Sequence, residues 1–176
     1  MNKSIKASQG GFTLIELIVV IVILGILAAT ALPKFASLSG EARLASLNAA
    51  KGALTATSAM VHGKYLVSPS AKIKVEGTEV TMDTTTGYPA VTDASAQTIA
   101  TAAGLSTGDY TVLTAGNGTT APALTAGSGK FAVVPNSIVG TATAAKCFVL
   151  FSAGTKDLPP PVVTTGTSVA AVADCE

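Results

Sequence analysis

The sequence predicts an α+β fold that combines one long N-terminal helix with an antiparallel β-sheet. A 21-residue apolar segment opens the fold, and a stripe of Leu and Val recurring every seven residues follows it. From residue 71 onward, apolar residues alternate with polar ones. The first two patterns are helical and the third is typical of strands. A chain of 176 residues has the size of one domain, so we do not expect a multidomain enzyme.

The composition argues against several functional classes. Lys plus Arg total 11 and Asp plus Glu total 10, so the formal charge of +1 gives no bulk attraction for nucleic acid. Trp is absent and there is one His, which leaves little material for base-stacking surfaces or imidazole catalysis. Charged residues make up only 12% of the chain, which favours a packed assembly. We therefore expect no nucleic-acid partner.

The apolar segment, residues 12–32, has the length of a membrane span. As a helix it covers roughly 30 Å, the thickness of the hydrocarbon layer of a bilayer. Its one charged residue is Glu16, and the only charges before it are Lys3 and Lys6. The positive-inside rule then places the N-terminus in the cytoplasm and sends the rest of the chain outside.

The border of this segment differs from that of an ordinary secretory signal. Such a signal has a shorter apolar core, and its small-residue cleavage site follows the core. Here the small pair Gly10-Gly11 stands before the apolar segment. Cleavage at this pair would keep the apolar helix in the mature protein.

The run from Gly11 to Glu16, GFTLIE, resembles the class III signal of type IV pilins and type II secretion pseudopilins. The resemblance implies that a prepilin peptidase removes residues 1–11 as a leader, between Gly11 and Phe12, and methylates the new amine of Phe12. The mature chain would keep nine basic and ten acidic residues. It also implies the pilin fold, in which the hydrophobic half of the long helix protrudes and the other half packs on the sheet.

Glu16 is a carboxylate in an apolar environment, where a charge costs roughly 2.5–3.5 kcal/mol at a bilayer centre. It lies about one helical turn from Phe12, so one interpretation is local stabilisation by the helix dipole. The resemblance implies a second role, pairing with the Phe12 amine of a neighbouring copy in a filament core. Because an unpaired buried charge is strongly unfavourable, such a pair would set the register between subunits.

Residues 33–63 are predicted to continue the helix as an amphipathic segment. Pro33 should kink or break it, and Gly25 is a weak point upstream. The resemblance implies that the stretch between them can lose helicity in a filament; the alternative is a helix merely bent at Pro33. We expect the helix to end near residue 62, where His62 favours the dipole and has no catalytic role.

The outer domain, residues 64–176, is predicted to be mixed α/β. Its apolar alternation predicts a hairpin across residues 76–78, and Asp93 and Gly104 predict the start and stop of a short helix over residues 93–103. Three further strands are predicted: Tyr110–Thr114, Lys130–Val134 and Lys146–Ser152.

Cys147 and Cys175 are the only cysteines, in a region that the charge rule places outside the cytoplasm. We expect a disulfide that bounds a C-terminal loop over residues 147–175 and stabilises the fold by roughly 3–4 kcal/mol. Neither C-x-x-C spacing nor nearby histidines indicate a metal site. A calcium site built from Asp157, Asp174 and Glu176 fits no loop signature. No catalytic constellation is present, so we predict no enzyme activity and no cofactor.

The outer region resembles pilins of the mannose-sensitive haemagglutinin type, in Val61–Lys64, Gly87–Pro89 and the C-terminal cysteine pair. This resemblance implies the type IVa major subunit of a pilus, an extracellular homopolymer for adhesion, surface attachment or motility. Its implied partners are the prepilin peptidase, an inner-membrane assembly platform, minor pilins and a host or abiotic surface. The precursor would be a single-pass inner-membrane protein with a periplasmic C-terminus. The alternatives are a pseudopilin or minor pilin of a secretion or DNA-uptake machine, and a monomeric membrane-anchored domain.

Overall fold

A long helix, α1, opens the computed structural model and spans Leu14–Val67. The structure describes residues 12–154, 161–165 and 171–176, with the backbone alone for 33–37. These residues fall into two compact units, one that ends at Ser37 and one that spans Leu38–Glu176.

The first unit contains the apolar half of α1. Leu14–Leu32 has a mean hydropathy of 2.8, and none of it is buried within the chain. By length and composition this segment could cross a membrane. The helical backbone continues through Pro33, so the helix is not broken there. The loss of helicity between Gly25 and Pro33 concerns an assembled filament and stays a prediction.

In the second unit, α1 buries the stripe predicted from its seven-residue spacing. Leu47, Leu54 and Val61 are all fully buried. The helix ends at Val67, about a turn beyond the predicted end, because its last turns have tertiary contacts that outweigh the low helix propensity of Gly63. A side chain at Gly63 would meet only open space, and the Ser68 amide donates to the Lys64 carbonyl at 2.9 Å.

A three-stranded antiparallel sheet follows, formed by β1 (Lys72–Val75), β2 (Thr78–Asp83) and β3 (Tyr88–Pro89). The predicted hairpin is confirmed by the β1–β2 pairing. Its two turn residues, Glu76 and Gly77, both have positive φ, 48° and 80°. This combination is that of a type I′ turn, whose twist matches the flanking strands.

The short helix, α2, spans Ala96–Ala102. The prediction of Asp93 as its N-cap is wrong, because Ser95 occupies that position and Asp93 Oδ1 instead accepts from the Gly127 amide at 3.1 Å. Ser95 Oγ also donates to the Ala90 carbonyl at 2.6 Å, which fixes the chain entering the helix. Gly104, with φ 75°, lies just beyond the end of α2, as predicted.

The second sheet has the order β4 (Tyr110–Leu113), β5 (Lys130–Pro135), β6 (Val149–Ser152) and β7 (Val162–Thr165), all antiparallel. Three of these strands were predicted, and β7 was not. β6 starts three residues later than predicted, because a 3₁₀ turn over Ala142–Ala145 carries the chain to Cys147. The core combines α1, α2 and both sheets. This α+β arrangement is consistent with the pilin fold, so the predicted fold class is confirmed.

Candidate functional site

The N-terminus of α1 is closed by a reciprocal pair of side chains, Thr13 and Glu16. Glu16 Oε2 accepts hydrogen bonds from the Thr13 amide and from Thr13 Oγ1, both at 2.8 Å. In return, the Glu16 amide donates to Thr13 Oγ1 at 3.3 Å. This is a capping box, which satisfies backbone donors that a helix start leaves unpaired.

The capping box occupies only part of the Glu16 carboxylate. A carboxylate can accept about four hydrogen bonds, and both bonds from Thr13 go to Oε2. Among the described residues, Oε1 accepts none. Glu16 can therefore hold its own helix start and still receive a cationic donor from outside the chain.

The sequence reasoning identified Glu16 but missed Thr13. The signal was the spacing Thr-x-x-Glu at the head of an apolar run, which is the sequence mark of a capping box. Phe12 lies just before this box and is 95% exposed. Gly11 lies outside the described residues, so leader cleavage and methylation of Phe12 stay predictions.

Behind the capping box, the apolar side chains of α1 face outward on every side. Ile18 is the least exposed of the large ones, at 46%. Burying one large apolar side chain is worth roughly 1.5–3 kcal/mol, so leaving the whole set in water is prohibitive. The segment requires an apolar environment that the chain itself does not supply.

At the opposite end of the sequence, Cys147 and Cys175 form a disulfide with their Cα atoms 5.0 Å apart. It ties the C-terminal segment, with its short 3₁₀ helix Val172–Asp174, to Cys147, and this segment packs on Gly40 of α1. A Cβ atom added at Gly40 would lie 3.0 Å from the Val172 carbonyl oxygen and 2.8 Å from Glu176 Cγ, so the C-terminal segment packs closely on this glycine. The Arg43 guanidinium donates to the Cys175 carbonyl at 2.6 Å.

The two outer motifs singled out in the sequence, around His62 and around Gly87, contact each other. The His62 ring stacks on Tyr88 with centroids 3.9 Å apart, and its Nδ1 lies 2.6 Å from the Gly87 carbonyl oxygen. Tyr65 donates to the Thr84 carbonyl at 3.2 Å. His62 therefore has a structural role in joining α1 to the β2–β3 turn, which sequence reasoning missed.

Gly87 is the tightest point of this junction. It has φ 73°, and an added Cβ would lie 3.0 Å from Tyr65 Cδ1. We expect Gly87→Ala to lower the free energy of unfolding by about 2–4 kcal/mol, from left-handed strain plus overpacking. Gly104→Ala is the matched control, because φ is 75° there and an added Cβ would have no tertiary neighbour within 4 Å. It should lower the free energy of unfolding by about 1–2 kcal/mol. Urea unfolding of the full chain in detergent measures both, and equal losses would contradict the packing at Gly87.

Asp83 organises the same turn and gives it a pH dependence. Hydrogen bonding from the Thr85 amide, at 2.9 Å, is the main cause that holds the pKa of Asp83 below its usual range. The ionised form therefore stabilises the fold at neutral pH, and this contribution is lost as the pH falls below about 4. We expect Asp83→Asn to reduce the loss of stability between about pH 7 and pH 3, by a small amount because the group lies near the surface. Urea midpoints at both pH values measure it, and an unchanged pH dependence would contradict this role.

No group of three His, Cys, Asp or Glu side chains suited to a metal ion occurs in the described part of the chain. Asp157 lies outside that part. Asp174 Oδ2 accepts from the Ala171 amide at 3.0 Å and so closes the terminal 3₁₀ helix.

Comparison with known proteins identifies the N-terminal segment. Residues 6–32 match the family model of the prokaryotic N-terminal methylation motif. The chain is also 45% identical over 58 residues to the type IV narrow pilus major component PilA5 of Thermus thermophilus. That match covers 33% of this chain and 44% of the relative. No solved structure matches the chain. The chain therefore carries a prepilin motif at its N-terminus and is similar to a type IV pilin over about a third of its length.

Proposed function

We propose that this chain is the major structural subunit of a type IV pilus of the IVa type, and that it polymerises through the apolar half of α1. The observation that carries the proposal is an apolar helix exposed on all sides with a carboxylate in its first turn. The name of the relative, a major pilus component, supports the same role. The filament would serve in adhesion, surface attachment or motility.

The apolar helix supports polymerisation because its side chains must be shielded from water both in the precursor and in the filament. In the precursor, the bilayer surrounds it, and the motif and helix are compatible with a membrane-anchored precursor. Once a subunit leaves the membrane for a filament, lipid no longer covers these side chains. In a homopolymer, the same helices of neighbouring copies can pack against these side chains. The result would be a core of parallel apolar helices.

Glu16 supports a defined register within such a core. Its capping box leaves Oε1 open to a donor, and cleavage after Gly11 would create a charged amine at Phe12. We infer that the amine of one copy binds the Glu16 carboxylate of the next. A charge in a dry core is tolerated only when it is paired and hydrogen-bonded, so misregistered helices would be disfavoured.

The other partners follow from this role. A prepilin peptidase would remove residues 1–11 and methylate Phe12, and an inner-membrane platform would feed subunits into the base of the fibre. Minor pilins would share the same helix bundle. The outer unit, Leu38–Glu176, would form the fibre surface that meets a host or abiotic surface.

Electron microscopy and intact mass analysis of fibres sheared from cells expressing this chain test the proposal. We expect abundant thin fibres of this subunit, each chain beginning at a methylated Phe12 and carrying the Cys147–Cys175 disulfide. Processed chains confined to the membrane with few fibres would instead indicate a pseudopilin or minor pilin. An unprocessed monomer would contradict the entire proposal.

A further inference from the structure

A groove of about 670 Å³ lies in the outer unit, beside the last turns of α1. Met60, Lys64 and Val67 line it from the helix, and Lys72 and Lys74 line it from β1. Its apolar side chains are open to solvent: Met60 is 50% exposed and Val67 is 88% exposed. The groove thus combines an uncovered apolar floor with a basic rim.

The charges on the rim are only partly neutralised within the chain. Lys72 Nζ lies 3.6 Å from Glu79 Oε2, and Lys74 stands opposite Glu79 in the β1–β2 register. Lys64 Nζ donates to the Lys74 carbonyl at 3.2 Å, which is a neutral acceptor. The described residues that line the groove thus include three lysines and no carboxylate, and the groove, which we call the lysine groove, favours an acidic occupant.

The other end of the outer unit has the complementary chemistry. Glu41 is exposed near the start of the outer half of α1, and Asp174 and Glu176 are held nearby by the packing of the C-terminal segment on Gly40. Arg43 and Lys146 offset part of this charge.

Leu38, 55% exposed, lies three residues before Glu41 and so occupies the same helix face. An exposed apolar side chain beside the Glu41 carboxylate matches the apolar floor and basic rim of the lysine groove. We call the helix surface formed by Leu38 and Glu41 the acidic corner; the carboxylates of Asp174 and Glu176 add negative charge nearby.

The two surfaces lie far apart along one helix. Glu41 and Lys64 are 23 residues apart in α1, which corresponds to about 35 Å along the axis. They cannot meet within one chain, but they meet between two parallel copies when one is advanced by about that distance. A contact between two different surfaces of identical subunits does not close on itself and generates a filament.

We propose that the lysine groove of one copy receives the acidic corner of another copy about 35 Å farther along the filament, with Leu38 against Met60 and Glu41 among the lysines. This copy is a different neighbour from the one whose Phe12 amine pairs with Glu16, since that pairing offsets two copies by only about one helical turn. This inference rests on the proposed polymerisation and names the outer contact that would accompany it. Opposite charges across the contact would also fix the orientation of the subunits.

Charge exchange tests the contact. Lys74→Glu and Glu41→Lys should each lower fibre yield about tenfold, because each places like charges across the contact. The combined variant should return to within about twofold of wild type, because the opposite charges are restored in the reversed sense. Lys130→Glu, an equal change of charge on the exposed start of β5, is the control and should leave the yield unchanged.

Cross-linking provides an independent measurement. Both native cysteines are bonded to each other, so thiols introduced by Leu38→Cys with Met60→Cys would be the free ones. Under oxidising conditions we expect fibres of this variant to give a covalent ladder of oligomers. Val139→Cys in place of Met60→Cys uses an exposed position outside the groove and should give none.

The outcomes separate this inference from the function on which it rests. If wild-type cells make no fibres, the proposed function fails. If wild-type fibres form while the charge variants assemble normally and no ladder appears, the outer contact alone is wrong. Formation of the native disulfide in each variant verifies that its outer unit has folded.

Discussion

Replacing Glu16 by Gln is expected to leave membrane insertion and leader removal intact and to reduce fibre yield about a hundredfold or more. An unpaired charge in a buried site costs on the order of 3–5 kcal/mol, which corresponds to this range. Gln is the informative substitution because it also serves at the third position of a capping box. It keeps the hydrogen bonds to Thr13 and removes only the charge.

Two companion variants separate the roles of Glu16. Thr13→Ala removes the hydroxyl of the capping box and keeps the charge, so it should cost about 1 kcal/mol of helix stability and leave most fibres. Glu16→Val removes both functions and should behave like Glu16→Gln. The readouts are the amount of processed chain in membranes and of chain in sheared fibres. Normal fibre yield from Glu16→Gln would mean that capping alone explains the carboxylate.

The predicted parts of the fold are those in which local pattern and final packing agree. Leu47, Leu54 and Val61 repeat every seven residues, and this spacing places them on the one face of α1 that the sheets cover. The β1–β2 hairpin has alternation and a Gly turn within a dozen residues. In both cases, neighbours in sequence determine the structure.

The missed parts depend on partners that are distant in sequence. The strand β7, Val162–Thr165, is defined by its pairing with β6 and has a half-exposed pattern that is weak by itself. The sequence predicted the end of α1 too early, because the last turns of the helix are stabilised by His62 and Tyr65 packing on Gly87, more than twenty residues away. Tertiary contacts of this kind override the local signal of a glycine.

The candidate site divides in the same way. Glu16 stands out as the one charge among apolar residues, so sequence alone identifies it. Gly40 did not stand out in the sequence, because the residues that leave little room for a side chain there, Val172 and Glu176, come more than 130 residues later. The negative charge in the region of the acidic corner likewise comes from both ends of the outer unit, Glu41 from one and Asp174 and Glu176 from the other, and no local pattern in the sequence indicates it.

Removal of the disulfide by Cys147→Ala with Cys175→Ala is expected to lower the free energy of unfolding by about 3–4 kcal/mol. The bond joins residues 28 positions apart, and opening that loop restores chain entropy to the unfolded state. Without the disulfide, the described contacts that hold the Val172–Asp174 turn in place include its packing on Gly40 and two hydrogen bonds, from Arg43 to the Cys175 carbonyl and from Thr143 Oγ1 to the Glu176 carbonyl.

Urea unfolding of the full chain in detergent, compared with wild type under oxidising and reducing conditions, measures this contribution. Cys147 and Cys175 are both fully buried, so a reductant should reach the disulfide of the wild type only after local opening. Reduction should therefore become faster as urea is added. Because Asp174 and Glu176 adjoin Cys175, loss of the disulfide should also release their negative charge from the region of the acidic corner and lower fibre yield. Reduced stability with unchanged fibre yield would separate the two effects and show that the outer contact depends on Glu41 and Leu38 without the C-terminal carboxylates.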